Sequence, residues 1–129
     1  MIPEDHLKDA TAYFWKESFA IVKTKHHYPD AFAVITDKDE ITIIIDQNKL
    51  QNIIPNEHEK NWKILTLDII FPMDLVGILS KISGCFAEKG IPVMAVSAYS
   101  RDHFLIREKD INDAVTALKS IGIKTIQIN

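Results

Sequence analysis

Residues 63–71 alternate strictly between two kinds of side chain, and this pattern constrains the fold of the chain more than any other feature. One side of the extended segment carries the more apolar set, which consists of Leu65, Leu67, Ile69 and Phe71. The other side carries Ile64, Thr66 and Asp68. A period of two with one richer face predicts a half-buried β-strand.

An amphipathic helix is predicted directly after this strand. Asp74 is placed to cap it through a side-chain oxygen, with Leu75 as its first residue. Gly90 can adopt a positive φ and is predicted to end it. Apolar residues recur at the helical period at Leu75, Ile78, Leu79, Ile82, Cys85 and Phe86.

The rest of the second half repeats these signals in a defined order. Residues 91–99 and 103–107 are predicted strands, Asp110 is predicted to cap a second helix that ends at Gly122, and residues 126–128 form a closing strand. The order β-α-β-β-α-β predicts an α+β, ferredoxin-like unit with both helices on one face of an antiparallel sheet.

The face of this sheet without helices is predicted to be unusually apolar. It carries Ile64 and, by alternation, either Met94 with Val96 or Val93 with Ala95. Such a face, or a sheet edge, is expected to pack against a second domain or subunit.

The first half is richer in strands than in helices. Strands are predicted at residues 18–25, 31–35 and 41–46, followed by a brief helix at 48–53, and residues 55–60 have linker composition. The predicted domains are residues 1–58, an abbreviated unit of the same kind, and residues 59–129.

Composition excludes several classes of function. A net charge of −3 gives no general attraction to nucleic acid or to an anionic membrane. A single cysteine excludes an internal disulfide framework, and the five histidines show no paired metal-ligand spacing. The polar, acidic N-terminus is unlike a signal peptide, no apolar run is long enough to span a membrane, and no cofactor motif appears, so a cytoplasmic protein is expected.

Three segments together resemble an ACT domain: residues 71–79 (FPMDLVGIL), 87–91 (AEKGI) and 96–106 (VSAYSRDHFLI). The pattern is most similar to the branch found in small tandem-ACT proteins and in the cytosolic arginine sensor of animal cells, and to the regulatory domains of aspartate kinase. Residues 31–45 resemble the first half of that branch, so the resemblance covers about residues 17–124. It departs from the branch at Ala98 and Arg101, where threonines are usual, and from typical ACT domains at Val76, where proline is usual.

The resemblance implies a regulatory module that binds a small molecule, commonly an amino acid, at an interface between ACT units. The residues expected to bind the ligand are Phe71, Asp74, Leu75, Val76, Gly77, Val96, Ser97, Tyr99 and Asp102. In this hypothesis backbone amides at the helix start hold a carboxylate, the acids and strand carbonyls hold an ammonium group, and Phe71 and Tyr99 enclose the apolar part.

Several of these residues also have a purely structural interpretation. Asp74 can act only as a helix cap, Gly77 can allow close helix packing, Asp102 can belong to an ordinary turn, and Phe71 and Tyr99 can be core residues. An interaction-only ACT scaffold, which assembles or regulates a partner enzyme without a ligand, is therefore the alternative function. In either case a homo-oligomer, most simply a dimer, is expected and catalysis is not.

Overall fold

The structure is a computed structural model of the 129-residue chain, and it describes residues 7–52, 57–70 and 76–127. In that part of the chain the strands are β1 (Thr11–Phe14), β2 (Phe19–Thr24), β3 (Ala33–Thr36), β4 (Ile41–Asp46), β5 (Glu57–Leu67), β6 (Val93–Ser97), β7 (Asp102–Arg107) and β8 (Lys124–Gln127). The α-helices are α1 (Ile78–Ala87) and α2 (Ile111–Lys119), and Gln47–Asn52 and Glu108–Asp110 are 3₁₀ helices. None of the described helices has the length and apolar composition needed to cross a membrane.

The chain divides into two compact units. The larger unit comprises Met1–Lys16 and Ile64–Asn129, and the smaller unit comprises Glu17–Lys63. This division differs from the predicted boundary between residues 58 and 59, because the N-terminal strand groups with the second half of the chain. Strand β5 runs across the boundary and contributes its last four residues to the larger unit.

The larger unit has the predicted ferredoxin-like order of elements, in which β5, α1, β6, β7, α2 and β8 follow one another. Its strands are arranged in the order β6-β7-β5-β1-β8. Strand β1 was not predicted; it pairs antiparallel with β5 and parallel with β8, so that it separates two strands that are neighbours in the simple ferredoxin-like arrangement.

The hydrophobic core of the larger unit lies between the sheet and its two helices. Leu65 and Leu67 of β5 face this core, as the alternation predicts, together with Phe86 of α1 and Phe104 of β7. The rings of Phe86 and Phe104 pack edge to face with their centroids 6.1 Å apart. Leu79, by contrast, is 44% exposed, so its predicted place on the buried stripe is wrong.

Helix α1 begins later than the sequence predicts. Its N-cap is Gly77, whose φ of +91° lies in the left-handed region, and Ile78 is the first helical residue. The predicted cap Asp74 and the predicted first helical residue Leu75 lie outside the described residues. At the other end Gly90 has a φ of +69° and stops the helix as predicted.

Helix α2 begins at the predicted position without the predicted cap. Asp110 is its N-cap residue, but the carboxylate makes no capping hydrogen bond. Its Oδ2 atom is buried without a hydrogen-bond partner among the described residues. Gly122, with a φ of +91°, follows the end of the helix as expected.

The smaller unit has the strand order β3-β4-β2-β5, which is the ferredoxin-like order, with a loop and a 3₁₀ helix where the two helices would be. The loop between β3 and β4 is closed by Asp37, whose Oδ1 accepts hydrogen bonds from the backbone of Asp39 and Glu40 at 2.7 and 2.8 Å. These bonds favour the charged carboxylate and lower the pKa of Asp37.

The predicted linker at residues 55–60 is wrong where the structure describes it. Glu57–Lys60 is the first part of β5 and pairs antiparallel with β2. The register shifts by one residue just before Trp62, at a β-bulge that contains Asn61 with a φ of +67°. The side chains of these four polar residues are exposed, and a run of exposed polar residues resembles a linker in sequence.

Candidate functional site

The candidate site is predicted at the end of the larger unit's sheet where β5 stops and α1 starts. Phe71, Asp74 and Leu75 lie outside the described residues. The described candidates belong to two segments, Val76–Gly77 before α1 and 96–102 around the β6–β7 turn. The β6–β7 turn lies beside the end of β5, because Arg101, the residue before β7, contacts Asp68, the residue after β5.

Gly77 is held in a conformation that few other residues adopt. Its φ of +91° and ψ of −4° place it in the left-handed region, which is accessible to glycine without steric cost. Its carbonyl accepts the backbone N–H of Lys81 at 2.9 Å and so starts the hydrogen-bonding ladder of α1. Val76, just before it, is 74% exposed and belongs to the surface of the unit.

The β6–β7 turn holds the other candidates in a regular hairpin. Ser97 is the cross-strand partner of Asp102, and Val96 is that of His103. The backbone N–H of Ala98 donates to the carbonyl of Arg101 at 3.0 Å and closes the turn. Ser97 and Asp102 are thus brought together, and Asp102 is half-buried while Ser97 is exposed.

Tyr99 lies at the tip of this turn and is 84% exposed. The interpretation of Tyr99 as a core residue is therefore wrong. An exposed phenol ring in a short turn has little packing value for the unit itself, so its environment is consistent with contact to a ligand or a partner.

An ion pair that the sequence does not reveal joins the turn to β5. Nε of Arg101 donates to Oδ1 of Asp68 at 3.0 Å, across 33 positions of the chain. The two side chains are 37% and 45% exposed. Two features of the sequence could have pointed to this ion pair. One is the aspartate at the end of the strand, and the other is the arginine at a position where the similar ACT branch has threonine.

A second unforeseen cluster lies on the face of the sheet without helices. The indole N–H of Trp15 donates to Oγ1 of Thr66 at 2.8 Å, and the same oxygen lies 2.7 Å from Nδ1 of His103. Thr66 is fully buried. Burial lowers the pKa of His103, Asp102 acts in the opposite direction and Arg101 adds to the lowering.

The apolar residues of this face are assigned by the strand register. Val93 packs against the core under the helices, so Met94 and Val96 lie on the other face with Ile64 and Leu105. Ile64 and Leu105 are fully buried, whereas Ile126 of the edge strand β8 is 55% exposed.

Cys85 has the environment of a structural residue. It is 7% exposed, and its Sγ lies 3.1 Å from the carbonyl of Ile82, to which it donates. Burial raises the pKa of the thiol, and Glu88 adds to this effect, so the nucleophilic thiolate is disfavoured. Nowhere in residues 7–52, 57–70 and 76–127 do three histidine, cysteine or acidic side chains form a group that could hold a metal ion.

Comparison with known proteins defines the class to which this architecture belongs. A family model described as the ACT domain matches residues 57–120, which span β5, α1, the β6–β7 hairpin and α2. The chain belongs to the ACT domain family. Among curated protein sequences, none matches it.

Solved structures with the same fold have low sequence identity to the chain. A protein from Agrobacterium tumefaciens aligns with a TM-score of 0.79 at 18% identity, covering 93% of this chain and 94% of its own. The ligand-free regulatory subunit of aspartate kinase from Thermus thermophilus aligns with a TM-score of 0.66 at 10% identity, covering 85% and 95%. Clostridium acetobutylicum aspartate kinase aligns with a TM-score of 0.69 at 14% identity, covering 86% of this chain and 34% of the kinase. At these identities the similarity establishes the fold.

Proposed function

We propose that this chain is a non-catalytic regulatory module of two ACT-like units that binds a free amino acid, and that it works in the cytoplasm as a homodimer. The ligand is proposed to lie at an interface with a second copy, beside Val76 and Gly77 and the turn that carries Val96, Ser97, Tyr99 and Asp102. Phe71, Asp74 and Leu75 are proposed to complete the site from the segment before α1.

The observation that carries this proposal is that the ACT domain match contains all of the candidate residues. The match spans both described segments of the candidate site, and the turn before β7 lies beside the residue that follows β5, because Arg101 contacts Asp68. The turn offers a half-buried carboxylate, Asp102, for an ammonium group, and an exposed ring, Tyr99, for an apolar side chain. The strand order of the smaller unit supports its interpretation as an abbreviated second ACT-like unit.

A thermal-shift screen of each standard amino acid tests the proposal. A ligand that binds only the native state at about a hundredfold its Kd raises the free energy of unfolding by about 2.7 kcal/mol, which is readily measured. We expect at least one amino acid to raise the Tm of the parent chain, and Asp102→Ala and Tyr99→Ala to reduce that shift.

Control variants separate loss of the site from general damage. Asp113→Ala removes an exposed aspartate from the first turn of α2 and should keep the full ligand-induced shift. Gly77→Val is a weaker probe, because a β-branched residue at a φ of +91° strains the backbone with or without a ligand. Equal shifts in the parent chain, Asp102→Ala and Tyr99→Ala would contradict the assigned site while leaving amino-acid binding intact.

Exposed apolar side chains favour one alternative, an interaction-only scaffold that assembles or regulates a partner enzyme without a ligand. Leu79 at the start of α1 is 44% exposed and Ile126 on the edge strand β8 is 55% exposed, and an open strand edge is a template for pairing with another chain. Flat melting curves with all amino acids, together with a dimer in analytical ultracentrifugation that Ile126→Glu dissociates, would establish this function instead.

A further inference from the structure

The ion pair between Arg101 and Asp68 is the starting point of a more specific assignment. The pair links the residue after β5 to the residue before β7, at the end of the sheet where the amino-acid site is proposed. Both side chains are between one third and one half exposed. An ion pair this accessible contributes little to folding stability, so stability alone is a weak reason for it.

The geometry of the pair leaves most of the guanidinium group available. Arginine carries five N–H donors in a planar fork, and Asp68 uses the one on Nε. Neither Nη group of Arg101 has a hydrogen-bond acceptor among the residues that the structure describes. The edge formed by the two Nη groups can bind a carboxylate through two parallel hydrogen bonds.

The carboxylate of Asp68 is also only partly used. Its Oδ1 accepts from Arg101, while within the described ranges Oδ2 has no hydrogen-bond donor. The carboxylate of the adjacent Asp102 likewise makes no hydrogen bond with the described residues, although it raises the pKa of His103 by its charge. An anionic acceptor and a cationic fork therefore stand side by side, both accessible to a small molecule.

This arrangement matches the two charged groups that every free α-amino acid carries on its α-carbon. We propose that Arg101 binds the α-carboxylate of the ligand through its Nη groups, and that Asp68 binds the α-ammonium group through Oδ2. The assignment rests on the proposed amino-acid function and adds two residues to it. The pair recognises the α-carboxylate and α-ammonium groups, which all amino acids share. Other residues must therefore discriminate between the side chains of different amino acids.

The turn geometry supports the fixed placement that such recognition needs. The backbone hydrogen bond from Ala98 to Arg101 and the pairing of Ser97 with Asp102 hold the turn on the sheet. The bond from Arg101 to Asp68 then orients the guanidinium plane before a ligand arrives, which reduces the entropy lost on binding.

The test uses each amino acid that stabilises the parent chain, together with its α-amide, which lacks the carboxylate, and its N-acetyl form, which lacks the ammonium group. Kd values are measured by isothermal titration calorimetry for the parent chain, Arg101→Gln and Asp68→Asn. Lys49→Gln is the matched control, because it removes a similarly exposed ion pair with Asp30 in the smaller unit. Circular dichroism confirms that each variant is folded.

We expect both variants to raise the Kd of the free amino acid by about tenfold or more, since each removes a charged hydrogen-bond partner. Arg101→Gln should also lose the preference for the free acid over the amide, and Asp68→Asn the preference for the free amine over the N-acetyl form. A Kd within about twofold of the parent value in Arg101→Gln, or an unchanged preference in both variants, would overturn the assignment and leave amino-acid binding standing. Absence of any binding by the parent chain would instead reject the proposed function and this assignment together.

Discussion

The hydroxyl oxygen of Thr66 lies 2.7 Å from Nδ1 of His103, and it also accepts the indole N–H of Trp15 at 2.8 Å. A hydroxyl group has one proton to donate, and no further acceptor for it is present among the described residues. We therefore assign the Thr66 proton to the bond with His103, whose Nδ1 must then be unprotonated. One fully buried hydroxyl therefore connects β5, β7 and Trp15, the residue after β1.

The first prediction concerns pH. Burial lowers the pKa of His103 below 6.5, the value expected in the unfolded chain. The unfolded chain then binds more protons than the folded chain between these two pKa values. The contribution of neutral His103 to the free energy of unfolding is therefore fully present above about pH 6.5 and is lost as the pH falls through that window. Urea unfolding at a series of pH values between 7.5 and 5 should show a larger loss of stability for the parent chain than for His103→Gln.

An exposed histidine in the smaller unit provides the control for this measurement. The charged groups acting on His103 are Asp102 and Arg101. His27→Gln removes an exposed histidine that contacts Thr36 in the smaller unit and should retain the pH dependence of the parent chain. The assignment fails if His103→Gln loses as much stability as the parent chain between pH 7.5 and 5.

The second prediction concerns the buried hydroxyl itself. Thr66→Val keeps the shape of the side chain but deprives Trp15 and His103 of their common partner, and we expect a loss of about 1–3 kcal/mol in the free energy of unfolding. The pKa of His103, followed by NMR, should rise, because the hydroxyl proton no longer favours the neutral ring.

Thr125→Val on β8 is the matched control, since Thr125 is half-buried in the same sheet. A change within about 0.5 kcal/mol is expected there. Equal effects of the two substitutions would show that the hydrogen bonds of Thr66 do not stabilise the fold.

The third prediction compares two glycines. Gly122 has a φ of +91°, and a Cβ there would lie 3.3 Å from the backbone Cα of Lys8, so Gly122→Ala should destabilise the larger unit by about 1–2 kcal/mol. Gly84 lies within α1, and beyond the helix's own adjacent backbone no atom lies within 4 Å of an added Cβ, so Gly84→Ala should stabilise it by about 0.5–1 kcal/mol. Chemical denaturation measures both, and effects of the same sign would contradict the assigned backbone conformations.

The fourth prediction tests which face of α1 is buried. Ile82 is 1% exposed, and Ile82→Ala should cost about 2–5 kcal/mol through lost burial and the cavity left behind. Leu79 is 44% exposed, and Leu79→Ala should cost less than about 1 kcal/mol. Similar losses in unfolding free energy would mean that Leu79 is buried in solution, as it would be at an interface between two copies, and the concentration dependence of Tm would identify that case.

Local patterns in the sequence were sufficient for most of the larger unit. Alternation along β5 assigned Leu65 and Leu67 to the helical face, and the positive-φ glycines Gly90 and Gly122 ended the two helices where expected. These features are decided within a few residues, by the period of the side chains and by the backbone conformations that glycine permits. Local sequence patterns were also sufficient to identify the resemblance to the ACT domain.

Only the tertiary structure decided the features that depend on distant partners. β1 became a strand because β5 and β8 supply its hydrogen bonds, and residues 57–60 extended β5 because β2 pairs with them. Asp68 with Arg101, and Thr66 with Trp15 and His103, are separated by 33 to 51 positions in the chain. A polar residue has many possible partners along a sequence, and its partner is fixed only when folding brings particular strands side by side.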